Sequence, residues 1–474
     1  MNSKIKKTDH SAVIQNMKTN ICSPLLVILL TILISSCSVT KEINKQANQG
    51  LLEDSVISTG HIGISIYEPA TDKYWYNYNA AKYFVPASNT KLFSLYAGMK
   101  YLGDSLVGLR YRVNANGEYY LYPTGDPTFL HEDYKRQPVF EFLRNINLDK
   151  RKTFVLNGWK FEHLGYGWSW DDYNGDYMVQ RSAMPVYGNV INFSFKSDSL
   201  VGQPYGKFDI VPSDQFNFEE IKQFSSRDKK QLPANFTIQR FLNDNAFRFI
   251  KSNEKFSTVT IPLIQDNFLL NEILKDTLHL LSGNNFSFLS EAASIPLKEL
   301  RVIHSLPPDS MFTPMMHRSD NFFAEQTLLM ASNERLGYMN DEAIIDTILN
   351  TDLKDIPQRP QWVDGSGLSR YNLFTPQDFV YILNKLKNDF GFERLKKILP
   401  TGGTGTLKRY FNSDSSFIYA KTGTLSNHVA LSGFLITRKN KLLVFSILNN
   451  NYEGSTAAVR RAVERFLKQI REKY

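Results

Sequence analysis

A serine and a lysine stand three positions apart in the segment VPASNTKLFSLYAG, as Ser88 and Lys91. The segment has the pattern of a helix start, with Ser88 suited to the N-cap and an apolar face that begins at Leu92. Side chains at positions i and i+3 share a helix face, about 5–6 Å apart at their Cβ atoms. A cation is disfavoured in the first turn by about 0.3–1 kcal/mol, and partial desolvation there would lower the pKa of Lys91 further. Such a lysine could take the proton of Ser88 and make the serine a nucleophile.

Two further motifs support this chemistry. The chain contains Ser319-Asp320-Asn321 and, on a predicted strand, Lys421-Thr422-Gly423. A lone S-x-x-K recurs by chance, and an N-cap serine beside a solvated lysine is its common structural alternative. The order S-x-x-K, S-x-N and K-T-G is that of the serine enzymes that recognise β-lactams. Because chance agreement of all three motifs is unlikely, we reject the structural alternative for Ser88 and Lys91.

Each motif has a physical task in acyl transfer. A second hydroxyl can relay a proton to the leaving nitrogen, and an amide can hold the peptide group of a substrate. A lysine and a threonine can bind a terminal carboxylate. Backbone N–H groups at the edge of a strand can stabilise an oxyanion, and each such donor is worth about 2.7–4 kcal/mol.

The sequence resembles the penicillin-binding protein 4 family, the D-alanyl-D-alanine carboxypeptidases and endopeptidases of bacterial cell walls. The resemblance extends over most of the chain after Gly60, and these blocks carry it: PASNTKL, TGDPTFL, SDNFFAEQTLL, DGSGLSRYN, GGTGTLKRYF and YAKTGTL. The long separation of Ser88 from Ser319 leaves room for the large inserted domains of that family. Compact β-lactamases lack this room.

The resemblance implies a role for each matching residue. Ser88 would be the acylated nucleophile, Lys91 its general base and Ser319 the proton relay. The segments 364–370 and 402–406 would shape the rim of the site, without an assigned chemical role.

The substrate-binding roles are also implied by the resemblance. Asn321 would contact the substrate, Lys421 would supply electrostatic attraction, and Thr422 would bind the carboxylate. The backbone N–H groups of Ser88 and Thr424 would form the oxyanion hole.

Residue patterns at the two ends of the chain predict one antiparallel sheet. The segment 61–67 alternates apolar residues and 73–79 alternates aromatic ones, which predicts a hairpin. Three strand-like runs and a closing helix, with Val459, Val463, Phe466 and Ile470 on one face, end the chain. We therefore expect an α+β fold of the serine β-lactamase and penicillin-binding transpeptidase type, with a five-stranded sheet flanked by helices.

This pattern divides the chain into parts. Residues 55–98 and 296–474 should form the catalytic domain, and 99–295 one or more inserted domains, with a nested insertion near 196–255. We expect the inserted part to be removable without loss of the catalytic sheet, because the predicted strands of that sheet lie outside it.

The N-terminus has the pattern of a lipoprotein signal. The ten-residue apolar run Leu25–Ile34 is too short to span a bilayer, which needs about 20 residues, but it suits a signal peptide. The sequence Ile34-Ser35-Ser36-Cys37 resembles a bacterial lipobox. We expect a signal peptide over 1–36, with Met17 as an alternative start, lipidation of Cys37, and a polar tether over 37–54. An ordinary secretory signal cleaved nearby is the alternative.

Composition excludes several classes of function. The chain has two cysteines, Cys22 and Cys37, so the mature protein would have no disulfide, no thiolate nucleophile and no zinc–thiolate site. The net charge of +8 is mild for 474 residues and becomes smaller without the lysines of the signal. We find no nucleic-acid motif and expect neither metal nor cofactor.

The sequence therefore predicts a periplasmic serine DD-peptidase, lipid-anchored to the outer membrane. Its partners would be peptidoglycan stem peptides and, as covalent inhibitors, β-lactam antibiotics. A β-lactamase or esterase of the same fold is an alternative, disfavoured by the insertion and by the lack of a deacylating glutamate. The pattern Glu141-x-x-x-Asn145 lies inside the insertion and is explained by chance. A catalytically silent wall-binding protein is the third hypothesis.

Overall fold

We describe the fold from a computed structural model. It describes residues 41–474 except 148, 157, 197–198, 205–209, 212–235, 252–257, 281–285, 291–294 and 413–414. In chain order the strands are β1 (His61–Glu68), β2 (Lys73–Tyr78), β3 (Val107–Val113), β4 (Tyr119–Pro123), β5 (Lys152–Val155), β6 (Val190–Lys196), β7 (Ser199–Gln203), β8 (Ile210–Val211), β9 (Phe236–Arg240), β10 (Phe247–Lys251), β11 (Thr258–Pro262), β12 (Phe286–Leu289), β13 (Arg301–His304), β14 (Ile418–Leu425), β15 (His428–Ile436) and β16 (Leu442–Asn450). The α-helices after residue 60 are α1 (Lys91–Tyr101), α2 (Pro138–Asn145), α3 (Asn267–Thr277), α4 (Asp309–His317), α5 (Asn321–Leu336), α6 (Asp341–Asn350), α7 (Pro376–Phe390), α8 (Phe392–Ile398) and α9 (Thr456–Lys473).

Strands from both ends of the chain form one antiparallel sheet, in the order β14-β15-β16-β1-β2. In the register of the central pair, Ile64 of β1 lies opposite Ile447 of β16. Both faces of β16 are buried, since one core cluster lies between the sheet and α9 and another lies between the sheet, α1, α5 and α7. The predicted five-stranded sheet, the hairpin and the closing helix are therefore confirmed.

Two helices carry the first two motifs and pack against each other. Helix α1 begins at Lys91, after a 3-10 turn over Ala87–Thr90, and Thr90 is its N-cap. The interpretation of Ser88 as the N-cap was therefore wrong, because a tight turn separates this serine from the helix. Helix α5 begins at Asn321, and the side chain of Asp320 caps it by accepting from the N–H of Phe323 at 3.0 Å.

The segment between these helices builds further sheets with their own apolar core. A second five-stranded sheet has the order β12-β5-β4-β3-β13, and two three-stranded sheets have the orders β8-β10-β9 and β11-β6-β7. Strand β13 lies beyond residue 295, the predicted end of the insertion, and pairs with β3. None of these strands belongs to the first sheet. The predicted nested insertion over 196–255 falls partly outside the described residues.

The first described residues are not a free tether. Residues 41–52 are helical, and Ile43, Ala47 and Leu51 are fully buried in the cluster that includes α9. The prediction of a tether over 37–54 was therefore wrong for residues 41–52. Their apolar residues are four positions apart and form one helix face, which packs against the core cluster. The predicted signal peptide and Cys37 lie outside the described residues. Within the part that the structure describes, no helix is long and apolar enough to cross a membrane.

Candidate active site

The turn before α1 presents Ser88 at the edge of the catalytic sheet. Ala87 has a positive φ of 48°, and the hydroxyl of Thr90 donates to the carbonyl of Ala87 at 3.0 Å. Strand β14 passes so close that a Cβ on Gly423 would lie 2.6 Å from the carbonyl oxygen of Pro86. Only glycine permits this approach, which explains the third residue of the K-T-G motif.

Lys91 is the centre of a buried hydrogen-bond network. Its Nζ lies 3.0 Å from Ser88 Oγ, 2.6 Å from Asn321 Oδ1 and 2.7 Å from the carbonyl oxygen of Ser366. The side chain is fully buried, and burial lowers the pKa of Lys91 to about 8, although nearby carboxylates oppose the shift. A lysine with this pKa has a useful neutral fraction near neutral pH, as a proton acceptor requires.

Ser319 and Lys421 form a second serine–lysine pair. Ser319 has a positive φ of 62°, and Lys421 Nζ donates to its Oγ at 2.8 Å and to the carbonyl oxygen of Thr422 at 2.7 Å. Burial lowers the pKa of Lys421 well below its ordinary value, and repulsion from Lys91 and Arg460 adds to this. The resemblance implied a cation at Lys421. Burial makes this charged form costly, and a bound anion would stabilise it.

The remaining predicted residues lie around the same centre. Asn321 Nδ2 donates to the carbonyl oxygen of Tyr177 at 2.8 Å, so its amide bridges Lys91 and the inserted segment. Thr422 Oγ1 donates to Thr406 Oγ1 at 2.7 Å, and Thr424 Oγ1 accepts from Arg460.

These side chains surround a cavity of about 650 Å³. Of the predicted residues, Ser88, Ser319, Asn321 and Thr424 line it. Lys91, Lys421 and Thr422 do not line the cavity and are almost fully buried. Cys37 lies outside the described residues. Glu141 does not line this cavity, which agrees with its rejection as a catalytic glutamate.

Asp364 is a positioning residue to which the sequence pattern assigned no role. Its carboxylate accepts from the N–H groups of Gly367 and Ser369, each at 2.7 Å, and from Trp168 Nε1 at 2.9 Å. These bonds fix the loop whose Ser366 carbonyl faces Lys91. The block DGSGLSRYN contains the signal, since an aspartate at the start of a glycine- and serine-rich loop can hold several backbone N–H groups.

Glu325 supports the same loop from α5. Its Oε1 accepts from the N–H of Ser366 at 2.7 Å, and Arg181 lies 3.5 Å from its Oε2. Burial, followed by the neighbouring charge of Asp364, raises the pKa of Glu325 to about 7. A buried acid four residues after Asn321 on one helix face was the signal that could have identified it.

The inserted segment supplies one wall of the cavity. Gly167, Ser169, Asp172 and Tyr177 line it together with Ser88. The sequence placed these residues in the insertion and did not predict their place in the site.

Within the described ranges, no group of three His, Cys, Asp or Glu side chains could hold a metal ion.

A serine–lysine pair at a helix start, beside the edge strand of an antiparallel sheet, defines the class of serine hydrolases with the β-lactamase and penicillin-binding protein fold. Comparison with protein families is more specific. Residues 44–471 match the D-Ala-D-Ala carboxypeptidase 3 (S13) family, and the chain belongs to it. The predicted family and enzyme class are confirmed, and family membership is consistent with the predicted location in the cell envelope.

Individual relatives agree with this assignment. A D-alanyl-D-alanine carboxypeptidase from Actinomadura sp. (strain R39) is 24% identical over 450 residues, which cover 85% of this chain and 80% of the relative. Penicillin-sensitive carboxypeptidase A from Dictyostelium discoideum is 21% identical over 446 residues, with coverages of 81% and 82%.

A solved structure confirms the fold. The crystal structure of penicillin-binding protein 4 from Haemophilus influenzae superposes with a TM-score of 0.67 at 16% identity. The match covers 90% of this chain and 98% of that one.

Proposed function

We propose that Ser88 is the nucleophile of a serine DD-peptidase that cleaves peptidoglycan stem peptides after a D-alanine. The observation that carries the proposal is the contact of the fully buried Lys91 with Ser88 Oγ at 3.0 Å. In its neutral form Lys91 accepts the hydroxyl proton while Ser88 Oγ attacks the peptide carbonyl. The C–O bond forms and the carbonyl oxygen becomes an oxyanion, which the backbone N–H groups of Ser88 and Thr424 would stabilise.

Collapse of this intermediate requires a proton on the leaving nitrogen. Ser319 Oγ can give its proton to that nitrogen and regain one from Lys421, with which it shares a 2.8 Å hydrogen bond. The C–N bond then breaks, and the acyl group remains on Ser88. The proton on Lys91 is then lost to solvent and Lys421 regains one from solvent, so that Lys91 is neutral again. Water attacks the ester while Lys91 accepts one of its protons, and this proton passes to Ser88 Oγ as the C–O bond breaks. The free acid leaves with Ser88 restored.

The terminal carboxylate of the substrate would bind near Lys421 and Thr422. An anion beside the buried Lys421 stabilises the ammonium form and raises its pKa again, so substrate binding and the charge of Lys421 support each other. Asn321 would hold the substrate's peptide group, as its amide is already oriented by Lys91 and Tyr177.

The same cavity would accept β-lactam antibiotics as covalent inhibitors. A second structure of the Haemophilus influenzae protein is a complex with a β-lactam, and it matches this chain with a TM-score of 0.62 at 15% identity. The relative from Dictyostelium discoideum is named penicillin-sensitive. These relatives support the proposal that penicillin acylates Ser88.

Carboxypeptidase and endopeptidase action break the same type of bond and differ in the group on its carboxyl-terminal side. Incubation of purified peptidoglycan with the protein, and then mass spectrometry of the products, separates the two. Release of free D-alanine indicates a carboxypeptidase, and conversion of cross-linked dimers to monomers indicates an endopeptidase. The Ser88→Ala variant is the control. Absence of both products from the wild-type reaction, with the protein folded, would instead favour the silent wall-binding hypothesis.

For the location, we propose attachment to the outer membrane through a lipid on Cys37. The support is the apolar run Leu25–Ile34, with Ser35, Ser36 and Cys37 directly after it. A serine rather than an aspartate at Ser38 favours the outer membrane, by resemblance to lipoprotein sorting in enteric bacteria.

A further inference from the structure

Two exposed tyrosine rings stack beside the catalytic cavity. The ring centroids of Tyr166 and Tyr371 lie 5.1 Å apart with an interplanar angle of 21°. The side chains are 72% and 50% exposed, although aromatic rings of this size usually contribute to a core or an interface. Such a pair, here named the tyrosine platform, has the character of a binding surface rather than of a packing element.

The tyrosine platform belongs to the loops that form the active site. Gly167 has a positive φ of 76°, and any Cβ there would collide with the ring of Tyr371, so the ring lies directly against the loop. The next residue, Trp168, donates to Asp364 at 2.9 Å, and the N–H of Tyr371 donates to Ser369 Oγ at 3.2 Å. Because Asp364 also orders the loop that faces Lys91, the platform has a fixed position relative to the catalytic centre.

A second cavity begins at the other side of Tyr166. Its volume is about 800 Å³, and its lining combines aromatic rings with charged and amide side chains. The aromatic residues are Trp159, Phe161, Tyr166 and Trp362, and the polar ones are Lys160, Glu162, Arg181, Asn340, Asp341 and Glu342. Gly167 and Arg370, the chain neighbours of Tyr166 and Tyr371, line the catalytic cavity, so the tyrosine platform lies next to both cavities.

This combination fits a sugar chain. The C–H faces of pyranose rings pack against aromatic rings, and their hydroxyl and acetamido groups bind carboxylates and amides. Stem peptides are less suitable occupants, because they end in carboxylates. Arg181 is already paired with Asp341. Glu162 and Glu342 then outweigh the remaining cation of the lining, Lys160. In peptidoglycan that carries its stem peptides, the lactyl carboxyl group of each N-acetylmuramic acid is amide-linked. The glycan strand is then uncharged along its rings and avoids this repulsion.

We propose that the tyrosine platform and the adjoining cavity bind the glycan strand of peptidoglycan while a stem peptide occupies the catalytic cavity. The proposal rests on the proposed function, because only a peptidoglycan peptidase meets a stem peptide attached to a glycan. It assigns to Tyr166 and Tyr371 a preference for polymeric substrate over free peptide.

The test measures binding of an uncharged β-1,4-linked oligosaccharide of N-acetylglucosamine by isothermal titration calorimetry, because amidase-released strands would carry a free lactyl carboxylate on each N-acetylmuramic acid. We expect Tyr166→Ala and Tyr371→Ala to weaken binding at least about tenfold. Tyr166→Phe should retain binding, because the ring and not the hydroxyl makes the contact. Phe268→Ala is the matched control, since Phe268 is 74% exposed but lines neither cavity. It should bind as the wild type does.

Three outcomes would overturn the proposal. The first is absence of glycan binding by the wild type. The second is equal binding by the alanine variants and the Phe268 control. The third is binding of sugar-free cross-linked peptides with the same dependence on Tyr166. Acylation by penicillin is measured on the same samples. Wild-type protein that is acylated but binds no glycan disproves only this inference, whereas absence of acylation disproves the proposed function.

Discussion

The side-chain nitrogen of Lys421 lies 2.8 Å from the hydroxyl oxygen of Ser319, and this contact parallels the 3.0 Å contact of Lys91 with Ser88. Both lysines are fully buried, and each contacts one serine hydroxyl. Their surroundings differ, however. Asp364, Glu325 and Asp320 partly compensate the charge of Lys91, whereas the charges that act on Lys421 are the cations Lys91 and Arg460. The two lysines should therefore respond differently to the same substitution.

Arginine at the two positions tests this difference. Lys91→Arg keeps a positive charge but cannot accept a proton near neutral pH, so the acylation rate of Ser88 should fall by at least about 10³-fold. Lys421→Arg keeps a cation that can pair with a carboxylate but cannot return a proton to Ser319. It should therefore lose less activity than Lys91→Arg and stay within about 10²-fold of the wild type. Because both positions are fully buried, thermal unfolding of each variant checks that it is folded. Equal losses in stopped-flow acylation would remove the basis for separate roles.

The pH dependence of acylation is set by the same network. Lys91 acts in its neutral form, and its pKa is lowered to about 8. The rate constant should therefore rise about tenfold per pH unit below about pH 8 and level off above it. Loss of the charge of Lys421, whose pKa burial also lowers, opposes this rise as the pH increases. Acylation by penicillin measured from about pH 6 to about pH 10 provides the check. A flat profile would contradict the role of Lys91 as a base.

Asp364 should act on catalysis through the loop that it holds. Asp364→Asn removes charge-assisted bonds to Gly367 and Trp168, so we expect a loss of about 1–3 kcal/mol in unfolding free energy. The Ser366 carbonyl then loses its fixed position beside Lys91, and acylation should slow about tenfold or more. The measurements are thermal or denaturant unfolding and the acylation rate of the same variant.

A second buried aspartate provides the control for Asp364. Asp378 accepts from the N–H groups of Thr375 at 2.8 Å and Gln358 at 3.1 Å, in the capping box of α7, and it does not line the catalytic cavity. Asp378→Asn should lower stability to a similar degree and leave acylation unchanged. Equal acylation by the two variants would show that Asp364 contributes to stability alone.

The prediction for Cys37 concerns the location of the protein. Cys37→Ala removes the thiol that would carry the lipid, and the apolar run of ten residues is too short to serve as an anchor itself. The variant should therefore move from the membrane fraction to the soluble periplasmic fraction. Unchanged membrane association, or a mature N-terminus that does not begin at Cys37, would contradict the lipid anchor.

The sequence predicted features that depend on the local spacing of residues. It did not predict individual side-chain contacts between distant segments. The i and i+3 spacing of Ser88 and Lys91 was sufficient to predict their contact, and strand periodicity predicted the catalytic sheet. The bond of Trp168 to Asp364 and that of Asn321 to Tyr177 each join segments more than a hundred residues apart. No local pattern predicts such pairs. The helix over residues 41–52 could have been predicted from the four-residue spacing of Ile43, Ala47 and Leu51. The polar composition of the segment led instead to the prediction of a tether.

Intact-mass spectrometry after mixing with penicillin tests the central claim most directly. Acylation requires a nucleophile, a base and a relay, and the structure brings Ser88, Lys91 and Ser319 together around one cavity and its buried wall. The leaving nitrogen of penicillin stays tethered through the opened ring and obstructs water, so hydrolysis should be slow. Each 1.4 kcal/mol added to that barrier slows it about tenfold. We expect an adduct that persists for minutes, maps to Ser88 and is absent from Ser88→Ala. An adduct on Ser319 or Ser366 would contradict the role of Ser88, and rapid turnover of the drug without an adduct would favour a β-lactamase over a penicillin-binding peptidase.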